Sequence, residues 1–196
     1  MSKEAAVLKI ELAGAPYPLW RRVQVDLDAT LEDLHTIIQI LFFWDNAHLH
    51  HFIVGKEIYS PENDDEVGDF KVEDEKSTED TKIKDILKSA KKFIYEYDFG
   101  DSWIHNIIFE KFVPQEDKDC VPVCLGAKGG DALEDIGGIG GFADFLEKAK
   151  QKKLSEETLE LLDWCGLTLE EVRNLANDDP DIDEMNEELR DFWMYK

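Results

Sequence analysis

The 196-residue chain predicts an α+β fold: a mostly antiparallel β-sheet with helices packed on it and a helical extension at the C-terminus. Three observations predict it. Two-residue alternation of apolar and polar residues recurs in AVLKIELAG, in PLWRRVQVD and on both sides of a Gly-Asp pair in KFIYEYDFGDSWIHNIIFEKF. Apolar residues return at helical spacing from Leu31 and again, repeatedly, beyond Gly141. Hydrophobic residues make up 43% of the chain, enough to fill one sizeable core.

The elements follow in order. AVLKIELAG and PLWRRVQVD, separated by a turn at Gly14 to Pro18, read as an antiparallel hairpin. Thr30 with Asp33 three residues later marks a helix start, and Leu31, Leu34, Ile38, Leu41 and Phe42 form the apolar stripe of a helix ending near Phe43. HLHHFIVG and KEIYS are short strands around Gly55-Lys56. Glu62 to Asp80 has almost no apolar content and reads as a mobile loop. A short helix near Ile83 to Ser89 precedes the second hairpin. With Gly100-Asp101 as a two-residue turn, Asp98 faces Trp103 and Glu96 faces His105, which puts these four residues on one sheet face with Ile94 and Ile107. Seven glycines between Gly126 and Gly141 predict a shaped loop, neither strand nor helix. Helices then run from Phe142 to Lys152, from Ser155 to Trp164, from Thr168 to Asn177 and from about Asp181. The last carries Ile182, Met185, Leu189, Phe192 and Trp193 as a stripe to be buried, with Phe192 and Trp193 mostly covered. The organisation expected is a core over residues 1–150, interrupted by the loop 62–80, and an acidic helical extension over 151–196 packed on it.

Charge excludes some function classes. The net charge is −23, and two stretches carry most of it: ten acids against Lys71 and Lys76 between Glu62 and Asp80, and fourteen acids against five bases from Gln151 onward. Such a polyanion repels phosphate, so direct nucleic-acid binding is not expected. Trp20-Arg21-Arg22 and Lys88 to Lys92 are read as solvated surface. No run approaches the ~20 apolar residues of a membrane span, and the first residues carry no apolar signal core. Cys120, Cys124 and Cys165 are odd in number and widely spaced, which indicates reduced thiols and, with the previous point, a cytoplasmic protein.

LKIELAGAPYPLWRRVQV, TLEDLHTIIQILFFWDNAHLHHF, YEYDFGDSWIHNI and CLGAKGGDALEDIGGIGGF, in that order, resemble the plasmid pRiA4b ORF-3-like family, also grouped as the MM3350-like fold. The resemblance covers most of residues 5–150 and implies an α+β fold. The family pattern usually has a second cysteine and two prolines before its Glu-Asp, where this chain has Asp131, Ala132 and Leu133. The resemblance also carries a resolvase-like label, implying a recombination accessory. A serine recombinase needs an activated serine among arginines and a basic helix-turn-helix, and neither is visible in the sequence.

His48, His50, Asp98, Asp101, Trp103, His105, Glu134 and Asp135 are the candidate site residues. His48 and His50, two apart in an extended segment, share a face, and with His105 they are candidate ligands for a divalent metal. Asp98 and Asp101 bracket a turn, where aspartate commonly accepts backbone N–H groups. His35 reads as a packed, hydrogen-bonded helix residue and His51 as surface. Two function classes fit. One is a non-catalytic module whose aromatic and acidic cleft, walled by such residues as Trp103, Tyr95 and Tyr97, binds a peptide, a basic protein or a small molecule. The other is a metal-assisted hydrolase in which the histidines hold the ion and Glu134 or Asp135 acts as base.

Overall fold

The structure is a computed structural model that describes residues 4–62, 75–115 and 122–196. Along the chain come strands β1 (Glu4–Leu12) and β2 (Trp20–Asp26), helix α1 (Leu31–Phe42), strands β3 (His50–Val54), β4 (Glu57–Ser60) and β5 (Lys76–Ser77), and helix α2 (Ile83–Ser89). Strands β6 (Lys92–Tyr97), β7 (Trp103–Pro114) and β8 (Val123–Lys128) follow, then helices α3 (Gly138–Ala149), α4 (Glu156–Cys165), α5 (Leu169–Asn174) and α6 (Ile182–Met194). One eight-stranded sheet has the order β5-β4-β3-β6-β7-β1-β2-β8. Every neighbouring pair is antiparallel except β4 and β5. The α+β expectation holds.

Helix α1 starts where its cap dictates. Thr30 Oγ1 accepts the Asp33 N–H at 3.1 Å, and the Asp33 carboxylate accepts the Thr30 N–H at 2.7 Å. Leu31, Leu34, Ile37, Ile38, Leu41 and Phe42 are fully buried in the same core as Phe52, Tyr95, Tyr97, Trp103 and Ile107 of the sheet. The helix stops at Phe43, which takes a left-handed φ of 55°.

Three expectations need correction. Lys76 and Ser77 form a strand beside β4, and buried Thr78 donates to Glu32 at 2.7 Å, so this end of the predicted loop is held by the sheet and by α1 rather than being mobile. Residues 63–74 of that predicted loop lie outside the described residues. CLGAK is strand β8, paired with β2 through a register shift between Arg22 and Val23; glycine at such a shift marks a bulge, not the end of a strand. Helix α3 begins at Gly138, earlier than the apolar spacing indicated.

The C-terminal helices pack on the core, anchored differently from expectation. Met185 and Leu189 are fully buried, whereas Phe192 and Trp193 are half-buried at the rim. Polar contacts complete the seam with β8: the Asn186 amide accepts the Cys124 N–H at 2.7 Å and donates to the Cys124 carbonyl at 3.2 Å. Asp179 accepts the Gly129 N–H at 2.9 Å, and the Leu175 carbonyl accepts that of Gly130 at 2.7 Å. Among the described residues no helix is long and apolar enough to cross a membrane.

Candidate functional site

The second hairpin decides where the site residues go. Tyr97 pairs with Trp103, Glu96 with Ile104 and Tyr95 with His105, one residue away from the register that a Gly100-Asp101 turn demands. The connection is the five-residue loop 98–102, in which Asp98 and Ser102 both take left-handed φ values, 55° and 53°. A one-residue slip exchanges the two faces of a strand. His105, Trp103 and Ile107 therefore face the core with Tyr95 and Tyr97, while Glu96 faces outward to His51 at 3.0 Å.

The histidines separate into three environments. His105 is fully buried between Phe42, Trp44 and Tyr95, at ring distances of 4.7, 5.1 and 5.5 Å, and neither ring nitrogen has a well-formed hydrogen bond. Burial holds its pKa down at about 3, against a partial offset from the Trp103 backbone.

His35 and His50 stack face to face, with centroids 3.5 Å apart and planes within 3°. Tyr95 Oη accepts from Gln39 Nε2 at 3.0 Å and donates to His35 Nδ1 at 2.7 Å, which leaves His35 Nε2–H to donate to Asn46 at 2.7 Å. Burial first, then the charge of His50, lowers the pKa of His35. His50 Nε2 lies 3.3 Å from Glu32, an ion-pair distance without hydrogen-bond alignment. Imidazole lone pairs lie in the ring plane, so parallel rings one stacking distance apart cannot both direct a nitrogen at one ion ~2.0 Å away. This group is a polar stack in the core.

His48 stands apart from both, in the bend before β3. Its Nε2 is 3.1 Å from Asp135 Oδ1 and 3.9 Å from Asp98 Oδ2, and its ring meets Tyr97 edge-on at 5.7 Å. Asp98 Oδ1 is engaged by the N–H groups of Gly100 (2.9 Å) and Asp101 (3.3 Å), which turns Oδ2 toward His48. Glu134 straps the glycine-rich loop down: one oxygen accepts from Tyr97 Oη and the other from the Asp45 N–H, both at 2.7 Å. Burial, followed by the bond to Glu134, raises the Tyr97 pKa far above its ordinary value, so this hydroxyl stays a donor. Asp101 accepts the Gly137 N–H at 3.1 Å. Gly138, at φ +62°, lets α3 approach so closely that an added Cβ would lie 2.2 Å from the Asp101 carbonyl oxygen.

Of the eight candidate residues, His48, Asp98 and Asp135 bring ligand atoms within 4.8 Å of one another, and Asp101 and Glu134 hold the glycine-rich loop that carries Asp135. Trp103 is buried in the aromatic floor near them, tilted against Trp44 at 5.5 Å, which itself stacks on Tyr97. His50 and His105 do not join. The expected metal set of His48, His50 and His105 is not assembled, because among the described residues His48 groups with Asp98 and Asp135, His50 with Glu32 and His35, and His105 with neither. The expected aromatic wall is a covered floor. Two surface hollows lie elsewhere, one of about 520 Å3 around the β1–β2 turn and one of about 360 Å3 beside Ile40, Phe43 and Trp44.

Residues 4–187 match the family described as plasmid pRiA4b ORF-3-like protein. The chain belongs to this family. It is 33% identical over 159 residues to "Uncharacterized protein y4hQ" of Sinorhizobium fredii, a match covering 81% of this chain and 79% of that one. A crystal structure titled as a protein of unknown function, MM3350 from Methanosarcina mazei, superposes with a TM-score of 0.71 at 30% identity, over 84% of this chain and 90% of the other. The pRiA4b ORF-3-like match extends beyond the core motifs, through α4 and α5 into α6.

In this pRiA4b ORF-3-like chain Asp131 holds a role that composition concealed. The sequence places Arg21 on solvated surface, yet it is fully buried and binds the Asp131 carboxylate at 2.9 Å. Its Nε donates to the Leu41 carbonyl at 2.8 Å, and Nη1 to the carbonyls of Trp20, Lys128 and Gly129, each at 3.1 Å. Burial lowers the Arg21 pKa while Asp131 opposes the shift; burial raises that of Asp131 while Arg21 opposes it. The guanidinium ties the end of α1 to the start of the loop that carries Glu134 and Asp135. The available signal was alternation: Arg21 shares its face of β2 with Val23 and Val25.

Proposed function

We propose that the protein is a non-catalytic binding module that receives a cationic group at the mouth formed by His48, Asp98, Asp101 and Asp135. The observation that supports this reading is convergence. The His48 imidazole before β3, the Asp98 carboxylate of the β6–β7 loop and the Asp135 carboxylate of the glycine-rich loop bring their polar atoms within 4.8 Å of one another beside an aromatic floor. Asp98, Ser102 and Asp135 sit at left-handed φ values that cost non-glycine residues about 1–3 kcal/mol each, and such strain clusters where a binding arrangement must be held. The acidic character selects cations and disfavours phosphate, which weighs against the recombination label. The hydrolase reading is less well supported: its three histidines are not assembled among the described residues, and of its two candidate bases Glu134 has both oxygens engaged as a strap.

Amide chemical shifts should report the mouth. Titration with an oligolysine peptide and, separately, with divalent cations is expected to move signals of His48, residues 98–102 and residues 134–137 together. These should move before those of the acidic helices α4 to α6. Shifts spread evenly over all exposed acids with every probe would refute the reading.

A further inference from the structure

We infer that the cation taken at this mouth is a divalent transition-metal ion, held by His48 Nε2, Asp98 Oδ2 and Asp135 Oδ1, an inference that rests on the binding-module reading and sharpens it. The three donor atoms all lie within 4.8 Å of one another. An ion with bonds of about 2.0–2.2 Å to imidazole nitrogen and carboxylate oxygen sets its ligands roughly 3 to 4 Å apart. The separations of 3.1 Å and 3.9 Å from His48 Nε2 fall in that range.

His48 Nε2 is at close ion-pair distance from Asp135, 3.1 Å, and at the outer edge of that range from Asp98, 3.9 Å. This residue is 9% exposed, its Oδ1 is used by two backbone donors, and its Oδ2 faces His48 Nε2 from beyond hydrogen-bond reach. With Oδ1 fixed by the turn, Oδ2 is left directed at the His48 ring nitrogen at a separation that an ion between the two would set. The surroundings orient the set as outer partners do in metal sites. Tyr97 Oη accepts the Ala47 N–H at 3.0 Å, next to His48, while also donating to Glu134, next to Asp135. One hydroxyl thereby sets the spacing of two ligands. An imidazole with two carboxylates suits zinc or manganese better than calcium, which prefers six to eight oxygens. The side chain of Asp135 is 57% exposed, so an ion has access and keeps positions for water or for a group of a partner.

Calorimetry and equilibrium dialysis of the full chain with ZnCl2, after chelator treatment, test this. One equivalent of zinc is expected to bind, with His48→Gln and Asp135→Asn each weakening it by at least about tenfold, an effect at least as large as losing an outer partner. Asp98→Asn disturbs the turn as well as the ligand, so Asp135→Asn, with its exposed side chain and an unchanged melting temperature, is the decisive variant. His51→Gln, which removes the separate surface pair with Glu96, should leave binding intact. Equal zinc affinity in wild type, His48→Gln and Asp135→Asn would overturn the inference. No one-to-one uptake, with oligolysine still perturbing the mouth, would overturn it too and leave the binding module standing. No response to either probe would remove both.

Discussion

Replacing Arg21 with Met should be the most damaging single change in the sheet, and the size of the effect follows from its contacts. The guanidinium serves four carbonyls and one carboxylate from a fully buried position. A methionine fills similar space but leaves those acceptors without their donor. Removing one partner of a buried pair costs about 3–5 kcal/mol, more than a typical net hydrogen bond, because the remaining groups stay desolvated. Asp131 is the milder half, since over a third of its side chain reaches solvent and can regain water. Urea unfolding of Arg21→Met should therefore show a loss of about 3–5 kcal/mol, roughly 6–20 °C in melting temperature for a chain of this size. Asp131→Asn should lose about 1 kcal/mol. Arg21→Lys should fall between wild type and Arg21→Met, because one ammonium cannot reach five acceptors in a fork. A loss below 1 kcal/mol in Arg21→Met, or equal losses in Arg21→Met and Asp131→Asn, would refute the view of Arg21 as the tie between α1 and the glycine-rich loop.

Other consequences can be checked on the same instruments. His105 keeps a folded pKa of about 3, against an ordinary 6.5, so the unfolded chain binds its proton first as pH falls. Its contribution to stability is whole above pH 6.5 and is lost between 6.5 and 3, at up to about 1.4 kcal/mol per pH unit. Between pH 7 and 5 the wild type should lose about 2 kcal/mol more than His105→Phe, and parallel stability curves would count against a neutral buried ring. Gly138→Ala, at φ +62° and 2.2 Å from a carbonyl oxygen, should cost about 2 kcal/mol or more, whereas Gly140→Ala, with nothing within 4 Å, should be neutral or slightly stabilising. Equal melting temperatures of the two variants would contradict the close approach of α3. Leu189→Ala should cost about 2–5 kcal/mol and exceed the loss in Phe192→Ala, since only Leu189 is fully covered; the reverse order in denaturant titrations would show that the rim anchors α6.

Much of the architecture was legible because it is written locally. Thr30 with Asp33, Ser155, Thr168 with Glu171 and Asp181 each cap the helix they precede, and a cap needs only a few neighbouring residues to be recognised. The meeting of His48 with Asp98 and Asp135 was partly legible, since the turn and the glycine-rich loop stood out as shaped segments. What escaped depended on distant partners or on single dihedrals. Left-handed Asp98 and Ser102 lengthen the hairpin loop, and that choice moved His105 from a carboxylate-bearing face to an aromatic interior. Arg21 looked like surface charge because its acceptors lie some 20 and 110 residues further along the chain. His35 and His50 stack only because α1 crosses the sheet above β3.

The seam between Asn186 and Cys124 reaches beyond the stability of one chain. Strand β8 closes the sheet at its end, and the rim of a closing strand is a template on which a strand from another molecule can grow. The Asn186 side chain presents an acceptor and a donor to Cys124 in the way a neighbouring peptide unit would, so a helix supplies the hydrogen bonds that a ninth strand otherwise would. Asp179 and Leu175 continue the same service at Gly129 and Gly130. The acidic tail is thus an edge cover as much as a packed appendage: its amide occupies the Cys124 backbone groups that an added strand would use.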